Sequence, residues 1–128
     1  MNIISIDLGT TNIKVTVYDQ KLHLITTISK TVVYDRNGDF VEFDCGSYFD
    51  SIKASVIEAA RIGYQRNQQA TAQIVLTGQA ESLILLDDAG IPVHPAISWL
   101  DMRSRKECEE LQTYLIPNYA IAPPGSPG

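Results

Sequence analysis

The amino-acid sequence predicts an α/β domain built on a mixed β-sheet with flanking helices. Three β-rich runs open the chain, a long stretch with helical spacing follows, and a further apolar run comes after that stretch. A strand that follows a helix usually crosses over to lie parallel to an earlier strand. The sheet is therefore expected to combine an antiparallel meander with one parallel strand.

The composition fits one folded domain and excludes several classes of partner. The 128 residues include 45% hydrophobic and 20% charged side chains, a mixture that argues against intrinsic disorder. The net charge is −5 and no Lys/Arg cluster occurs, so no nucleic-acid partner is expected. No apolar run approaches the roughly 20 residues of a membrane span. Because no signal peptide is visible either, we expect a cytoplasmic protein without a membrane partner.

The meander is predicted from three successive patterns. Residues 3–8 form a short apolar run that ends at the turn of residues 9–12. Ile13, Val15 and Val17 then alternate with polar residues, which is the period of a half-buried strand. The third run, from residue 22 to about residue 34, is rich in the β-branched residues that favour strands.

A helix is predicted to begin near Ser47, whose hydroxyl can cap the first turn, while Asp50 suits the positive end of the helix dipole. Gly63 is a plausible stop, and residues 66–71 look like a loop. The following run, residues 73–77, is the predicted parallel strand. The apolar side chains of the helix recur at three- and four-residue spacing, at Phe49, Ile52, Val56, Ala59 and Ala60.

The second half of the chain predicts a hairpin and a second helix. Residues 83–86 read as a strand, a turn follows, and residues 96–99 are its expected hairpin partner. Ser104 and Glu107 have capping-box spacing, and the helix after them would present Cys108, Leu111 and Leu115 on one face. We expect a domain over residues 1–115 and a loosely held Pro/Gly-rich tail over residues 116–128.

The turn after the first strand has a composition suited to phosphate. Gly9 lets backbone amides approach an anion closely, and Thr10 and Thr11 add hydroxyl donors. Asp7 can hold a hydrated magnesium ion, which prefers one or two carboxylates plus waters, and Lys14 follows on the next strand. A plain polar hairpin turn is the alternative, because the motif is short and lacks the P-loop pattern.

Two longer patterns give the sequence its family resemblance. Residues 7–14, Asp-Leu-Gly-Thr-Thr-Asn-Ile-Lys, resemble the first phosphate motif of the actin, Hsp70 and sugar-kinase superfamily, which has a ribonuclease-H-like fold. The Gly78-Gln79 loop and the segment Pro-Ala-Ile-Ser-Trp-Leu-Asp-Met-Arg at residues 95–103 resemble the FGGY family of carbohydrate kinases. Residues 38–44 are similar to that family's Gly-Trp-Val-Glu-x-Asp stretch. The resemblance covers residues 2–115, an incomplete first domain.

The resemblance implies ATP-dependent phosphorylation of a sugar or polyol hydroxyl, with Mg²⁺ and ATP as cofactors of the full-length parent. Asp7 would hold magnesium through water, while Gly9, Thr10, Thr11 and Lys14 would lie near the transferred phosphate. The substrate-binding residues that the resemblance implies are Gln79, Glu81, Trp99, Asp101 and Arg103.

Structural roles remain open for some of these side chains. Trp99 is either an apolar wall for the sugar or part of the core. Asp101 and Arg103 contact ligand or form an ion pair at the start of a helix. Gln79 lines the sugar pocket or satisfies the backbone of its loop.

The identity of the sugar stays open. Glycerol kinases carry Arg-Glu where this chain has Ala80-Glu81, and xylulokinases carry Met-His. Xylulose, ribulose, gluconate or a related open-chain polyol all fit. In the family the catalytic aspartate, the second phosphate loop and the adenosine pocket lie beyond residue 128, so no catalytic residue is expected in this chain and we expect it to be inactive alone.

Two alternatives belong to other functional classes. One is a non-catalytic remnant that folds and self-associates, and the other is an actin- or chaperone-like ATPase fragment. In the family, the next strand and helices of the first domain would cover one face of this sheet. Without them, an exposed apolar patch or sheet edge is expected. We therefore expect a homodimer or larger species, unless the Pro-rich tail folds back over that surface.

Overall fold

The computed structural model describes residues 1–70 and 72–119, with side chains through residue 114. Within these ranges the chain forms seven strands and two helices. In chain order they are β1 (Asn2–Leu8), β2 (Asn12–Tyr18), β3 (Leu24–Thr31), β4 (Asp35–Asn37), β5 (Phe40–Phe43), α1 (Cys45–Asn67), β6 (Ala72–Gly78), β7 (Ala96–Ile97) and α2 (Arg105–Tyr119).

The main sheet has four strands in the order β3-β2-β1-β6. β1 and β2 are antiparallel, as are β2 and β3, while β6 lies parallel to β1. The predicted meander, the parallel strand after the helix and the mixed α/β sheet are therefore confirmed. The long connection through α1 supplies the crossover that a parallel pair needs.

The core lies between this sheet and α1. Alternate residues of β1 and β2 point into it, because successive side chains of a strand point to opposite faces. At Gly63 an added Cβ would lie 2.9 Å from Cγ1 of Val17, so α1 packs closely on the sheet at this point. The buried residues that form the core are Ile4, Ile6, Ile13, Val15, Val17, Val32 and Ala59.

The helix starts earlier than predicted. α1 begins at Cys45, and its N-cap is Asp44, whose carboxylate accepts the Ser47 N–H at 2.7 Å. Ser47 is thus the donor of the capping bond, and the prediction of a Ser47 cap is wrong. Among the side chains expected on the buried stripe, Phe49 is 58% exposed.

The helix also ends later than predicted. Gly63 is buried against the sheet in mid-helix, and α1 continues to Asn67. Gln68 takes the left-handed conformation with φ of 50°, and its N–H bonds to the Tyr64 carbonyl oxygen, which ends the helix. The Gly63 stop is therefore wrong, because close packing and not chain reversal requires the glycine.

A second, small antiparallel sheet has the order β4-β5-β7. The predicted antiparallel pairing of residues 83–86 with residues 96–99 is confirmed at one point, where Leu83 and Ile97 exchange both backbone hydrogen bonds at 2.8 and 2.9 Å, but Ala96–Ile97 also pairs with β5. Residues 83–86 make only isolated bridges, Leu83 to Ile97 and Leu86 to Pro92. β5 is the stronger partner because it buries Val41 and Phe43, whereas the side chains of residues 83–86 are exposed.

α2 begins at Arg105, and the carbonyl oxygen of Ser104 accepts the N–H of Cys108 at 2.9 Å. Cys108 and Leu111 of the predicted apolar face are exposed, and the side chain of Leu115 lies outside the described residues. The helix runs on to Tyr119, past the predicted start of the tail at residue 116. The rest of the predicted tail, residues 120–128, lies outside the described part of the chain. No described helix is long and apolar enough to cross a membrane.

Candidate functional site

The β1–β2 turn and the end of β6 meet at one end of the main sheet. In the strand register Asp7 stands opposite Lys14 on β2 and opposite Thr77 on β6. Leu8 stands opposite Gly78, the last residue of β6. The predicted phosphate turn and the predicted Gly-Gln loop therefore leave the sheet from adjacent positions.

The turn is tight and is anchored through its carbonyl groups. A Cβ at Gly9 would lie 2.9 Å from the carbonyl oxygen of Asn12, so only glycine fits this position without a backbone shift. The Tyr34 hydroxyl donates to the Thr10 carbonyl oxygen at 2.8 Å, and the Val32 N–H donates to the Thr11 carbonyl oxygen at 2.9 Å. Two acceptors of the turn are thus used inside the protein, which favours an anion as its external ligand.

The Gly-Gln loop is fastened to β1 through its backbone. A Cβ at Gly78 would lie 2.8 Å from Cβ of Leu8, and the Gln79 N–H donates to the Leu8 carbonyl oxygen at 2.9 Å. The side-chain oxygen Oε1 of Gln79 is buried and has no hydrogen-bond partner among the described residues. Buried polar atoms are nearly always paired, so this oxygen is a candidate acceptor for a ligand hydroxyl.

Tyr48 of α1 lies beside this loop. Burial raises the pKa of the Tyr48 phenol, and a hydrogen bond with the Gln79 side chain opposes that increase. The Gln79 side chain therefore lies beside a tyrosine of α1, while the Gln79 backbone N–H bonds to β1. Sequence reasoning missed Tyr48, because its position in the helical pattern resembles that of any partly buried aromatic residue.

Glu81 has a conformation that is uncommon for its residue type. Its φ is 68°, in the left-handed region, and its side chain is exposed. Such backbone conformations cost of order 1–3 kcal/mol and cluster at ligand sites. The exposed carboxylate beside the Gly-Gln loop is consistent with the predicted contact to a sugar hydroxyl.

Trp99 connects the two loops. Its indole Nε1–H donates to Oγ1 of Thr10 at 2.9 Å, and its backbone N–H donates to Oγ of Ser82 at 3.2 Å. The side chain is 47% exposed. The alternative that Trp99 is a core residue is therefore wrong, and its exposed ring lies next to the β1–β2 turn.

Asp101 and Arg103 are engaged in an internal ion pair. Asp101, whose side chain is 4% exposed, accepts from Nε of Arg103 and from the Val41 N–H, both at 2.7 Å. The Arg103 hydrogen bonds hold the pKa of the Asp101 carboxyl far below its usual range, and those to Asp101 and Glu42 raise the pKa of Arg103. The Arg103 guanidinium also stacks 4.1 Å from the centre of the Phe40 ring. This geometry favours a scaffolding role, and their substrate contact stays a prediction.

The predicted site residues other than Glu81 thus fall into three groups. The structure brings Asp7, Gly9, Thr10, Gln79 and Trp99 together around the end of β1. Thr11 and Lys14 are exposed nearby, and Asp101 and Arg103 hold the segment that carries Trp99. Three contributing residues were not predicted, namely Tyr34, Tyr48 and Ser82.

Among the described residues no cluster of three or more His, Cys, Asp or Glu side chains could chelate a metal ion. Asp7 is partly exposed at the end of β1. A single carboxylate with room for water fits Mg²⁺, which keeps most of its water ligands, and does not fit a fully protein-coordinated metal. The donor set therefore fits a water-mediated magnesium ion, and the role of Asp7 toward that ion stays a prediction.

Comparison with known proteins identifies the same pattern. Residues 2–124 match the model of the FGGY family of carbohydrate kinases, N-terminal domain. The chain is 31% identical over 111 residues to the xylulose kinase of Staphylococcus epidermidis, covering 86% of this chain and 22% of that protein. It is 30% identical over 122 residues to the glycerol kinase of Natranaerobius thermophilus, covering 91% and 24%.

A solved structure agrees in fold. The glycerol kinase of Plasmodium falciparum, determined with ADP, superposes with a TM-score of 0.73 at 26% identity over 92% of this chain and 23% of that chain. The chain therefore spans less than a quarter of the length of the relatives it matches. The strand order and the family match over residues 2–124 together show that this chain belongs to the FGGY family of carbohydrate kinases, within its N-terminal domain.

Proposed function

We propose that this chain supplies the first phosphate turn and part of the sugar site of an ATP-dependent kinase that phosphorylates a sugar or polyol hydroxyl. The observation that carries the proposal is the hydrogen bond between Trp99 and Thr10. Phosphoryl transfer needs the acceptor hydroxyl and the γ-phosphate close together and in line. This contact puts the predicted sugar segment directly against the predicted phosphate turn.

The phosphate side of the site is built from the β1–β2 turn. Gly9 and Thr10 bring backbone amides and a hydroxyl to the phosphate, and the exposed Thr11 and Lys14 add a hydroxyl and a positive charge. Asp7 at the end of β1 would hold Mg²⁺ through water, and the bound ion would supply charge neutralisation for the phosphate oxygens.

The sugar side is built from the Gly-Gln loop and Trp99. The unpaired Oε1 of Gln79 and the exposed carboxylate of Glu81 accept hydrogen bonds from substrate hydroxyls, and the open face of Trp99 packs against the carbon chain. Asp101 and Arg103 position this segment and do not themselves need to contact the sugar. Xylulose, ribulose, gluconate and related open-chain polyols all fit as substrates, since Glu81 can accept hydrogen bonds from the hydroxyls of any of them.

The sugar half of this proposal is tested by ligand-induced stabilisation. A ligand that binds only the native state raises the free energy of unfolding, by about 1.4 kcal/mol at ten times its Kd. Thermal unfolding with millimolar xylulose, ribulose, gluconate or glycerol should show a rise in Tm for at least one compound. Gln79→Leu and Glu81→Gln should reduce that rise, and Thr27→Val on β3 should leave it unchanged. No rise with any compound would contradict the sugar half-site.

We also propose that the chain by itself transfers no phosphate. Positioning and charge stabilisation in phosphoryl transfer come from both sides of a cleft, and this chain covers less than a quarter of its relatives. The chain then acts as a binding scaffold unless the rest of a kinase is present.

A second proposal concerns association through β6. This strand is the edge of the main sheet, and all seven of its residues are exposed, including Ile74, Val75 and Leu76 at 47–65%. Residues 72–78 carry no charge, so a second copy of the strand meets no like-charge repulsion, whereas the opposite edge strand β3 carries Lys30. We propose that a second copy of this chain binds at the β6 edge.

A further inference from the structure

The hydroxyl of Thr10 has a defined hydrogen-bonding role because of its partner. The indole Nε1 of Trp99 is a donor only, so Oγ1 of Thr10 accepts in the 2.9 Å hydrogen bond between them. A hydroxyl that accepts with one lone pair still has its own proton to donate. The Thr10 carbonyl oxygen is taken by the Tyr34 hydroxyl at 2.8 Å, so the residue is held at both its side chain and its backbone.

The other end of this contact is held just as firmly. The Trp99 backbone N–H donates to Ser82 Oγ, and the neighbouring Ser98 is buried, with its N–H bonded to the Val41 carbonyl oxygen of β5 at 2.9 Å. Two residues further on, the Asp101 carboxylate binds the Val41 N–H. The segment that carries the Trp99 indole is thus hydrogen-bonded to Val41 of β5 both before and after Trp99.

We infer that Trp99 is a positioning residue for the phosphate turn: its indole N–H fixes the Thr10 hydroxyl so that the hydroxyl proton is offered to a bound phosphate. This inference rests on the proposed function, because it assigns Trp99 a second task besides packing against the sugar. The same side chain then touches both halves of the site, and a shift of the substrate segment changes the donor geometry of the turn.

The test uses inorganic phosphate as the probe and the whole 128-residue chain. Phosphate affinity is measured from the backbone amide resonances of Gly9, Thr10 and Thr11 in ¹H–¹⁵N spectra. Trp99→Phe keeps an aromatic ring and removes the donor, and we expect it to weaken phosphate binding about two- to tenfold, the range for loss of one hydrogen bond. In the Thr10→Val background the same change should have no further effect, which isolates the pair.

A structural readout accompanies the affinity. Trp99 is the only tryptophan of the chain, so its indole N–H gives a single resonance. Thr10→Val should move this resonance and speed its exchange with solvent, whereas Thr10→Ser and the matched change Thr16→Val should not. Equal Tm values for wild type and Trp99→Phe would exclude general unfolding as the cause.

The possible outcomes distinguish the inference about Trp99 from the proposed phosphate role of the turn. Phosphate binding by wild type that is weakened in Trp99→Phe, with no additional loss in the double variant, supports the inference. Phosphate binding of equal strength in wild type and Trp99→Phe overturns the inference and leaves the proposed phosphate turn intact. The absence of any phosphate response in wild type overturns both.

Discussion

Gly78→Ala is expected to disturb both the sheet and the site, because the glycine lies at the contact between them. A Cβ at this position would lie 2.8 Å from Cβ of Leu8 and 3.1 Å from its carbonyl oxygen. Both neighbours belong to a paired strand, so neither can turn aside as a flexible side chain would. The end of β6 must move away from β1, and the hydrogen bond from Gln79 N–H to the Leu8 carbonyl oxygen is lengthened.

The magnitude follows from two opposing effects. Overpacking of this kind typically costs about 1–3 kcal/mol. Replacing glycine by alanine also restricts the unfolded chain, which returns about 0.4–1 kcal/mol. The net loss in free energy of unfolding therefore lies between about 0 and 2.6 kcal/mol and centres near 1.3 kcal/mol, which lowers the urea midpoint by about 0.65 M for a slope near 2 kcal/mol/M.

The assay is urea unfolding followed by far-UV circular dichroism, with Gly46→Ala as the matched control. Gly46 lies in the first turn of α1, where an added Cβ comes no closer than 3.4 Å to the Asp44 carboxylate. The control should be neutral or stabilising by up to about 1 kcal/mol. A Gly78→Ala protein as stable as the Gly46→Ala protein would refute the reasoning about the β1–β6 contact.

Three further predictions follow from the same structure. The pKa of Asp101 is lowered in the folded state, so its contribution to stability is complete above the unfolded pKa of about 3.9 and is lost as the pH falls through the folded pKa. Asp101→Asn should therefore lower stability at pH 7 and flatten the acid limb of a profile of Tm against pH. An unchanged acid limb would count against the ion pair. Analytical ultracentrifugation should find dimers or larger species that Val75→Lys on β6 reduces to monomers and Thr27→Lys on β3 does not, whereas a wild-type monomer at all concentrations would exclude association. A coupled assay of ATP turnover should give no rate above background with any pentulose, hexulose, polyol or aldonate, and turnover that copurifies with the chain would disprove the proposed inactivity.

Those parts of the fold that are encoded locally were predictable from the sequence. The alternation of Ile13, Val15 and Val17 gives the period of a strand directly, and their burial in β2 follows from it. The parallel placement of β6 follows from its position after a helix, through the general rule for crossovers. In such cases one periodicity and one connection rule are sufficient.

Competition between similar candidates explains the errors. Asp44 and Ser47 are both good capping residues three positions apart, and the choice fell to Asp44, whose carboxylate accepts the Ser47 N–H. Residues 83–86 looked like a full strand because they are apolar, yet their pairing with residues 96–99 is confined to the Leu83–Ile97 bridge, and β5 pairs along Ala96–Ile97. Gly63 looked like a helix stop because the sequence does not show that Val17 packs against it.

Contacts between distant segments were outside the reach of the sequence. The family resemblance marked both Thr10 and Trp99, but their hydrogen bond joins residues 89 positions apart. Such a contact depends on how the small sheet is placed against the main sheet, which no local pattern encodes. The same holds for the hydrogen bond from the Tyr34 hydroxyl to the turn and for the position of Tyr48 beside Gln79.

The central claim is that the phosphate turn and the sugar loop form one site. The most direct measurement is a pair of ¹H–¹⁵N titrations of the chain, one with inorganic phosphate and Mg²⁺ and one with the sugar that raises Tm most. The account predicts that phosphate shifts residues 9–11, that the sugar shifts residues 79–81, and that the Trp99 indole resonance moves with each. Two sets of shifts that never include the Trp99 indole, or shifts confined to other parts of the chain, would contradict a shared site.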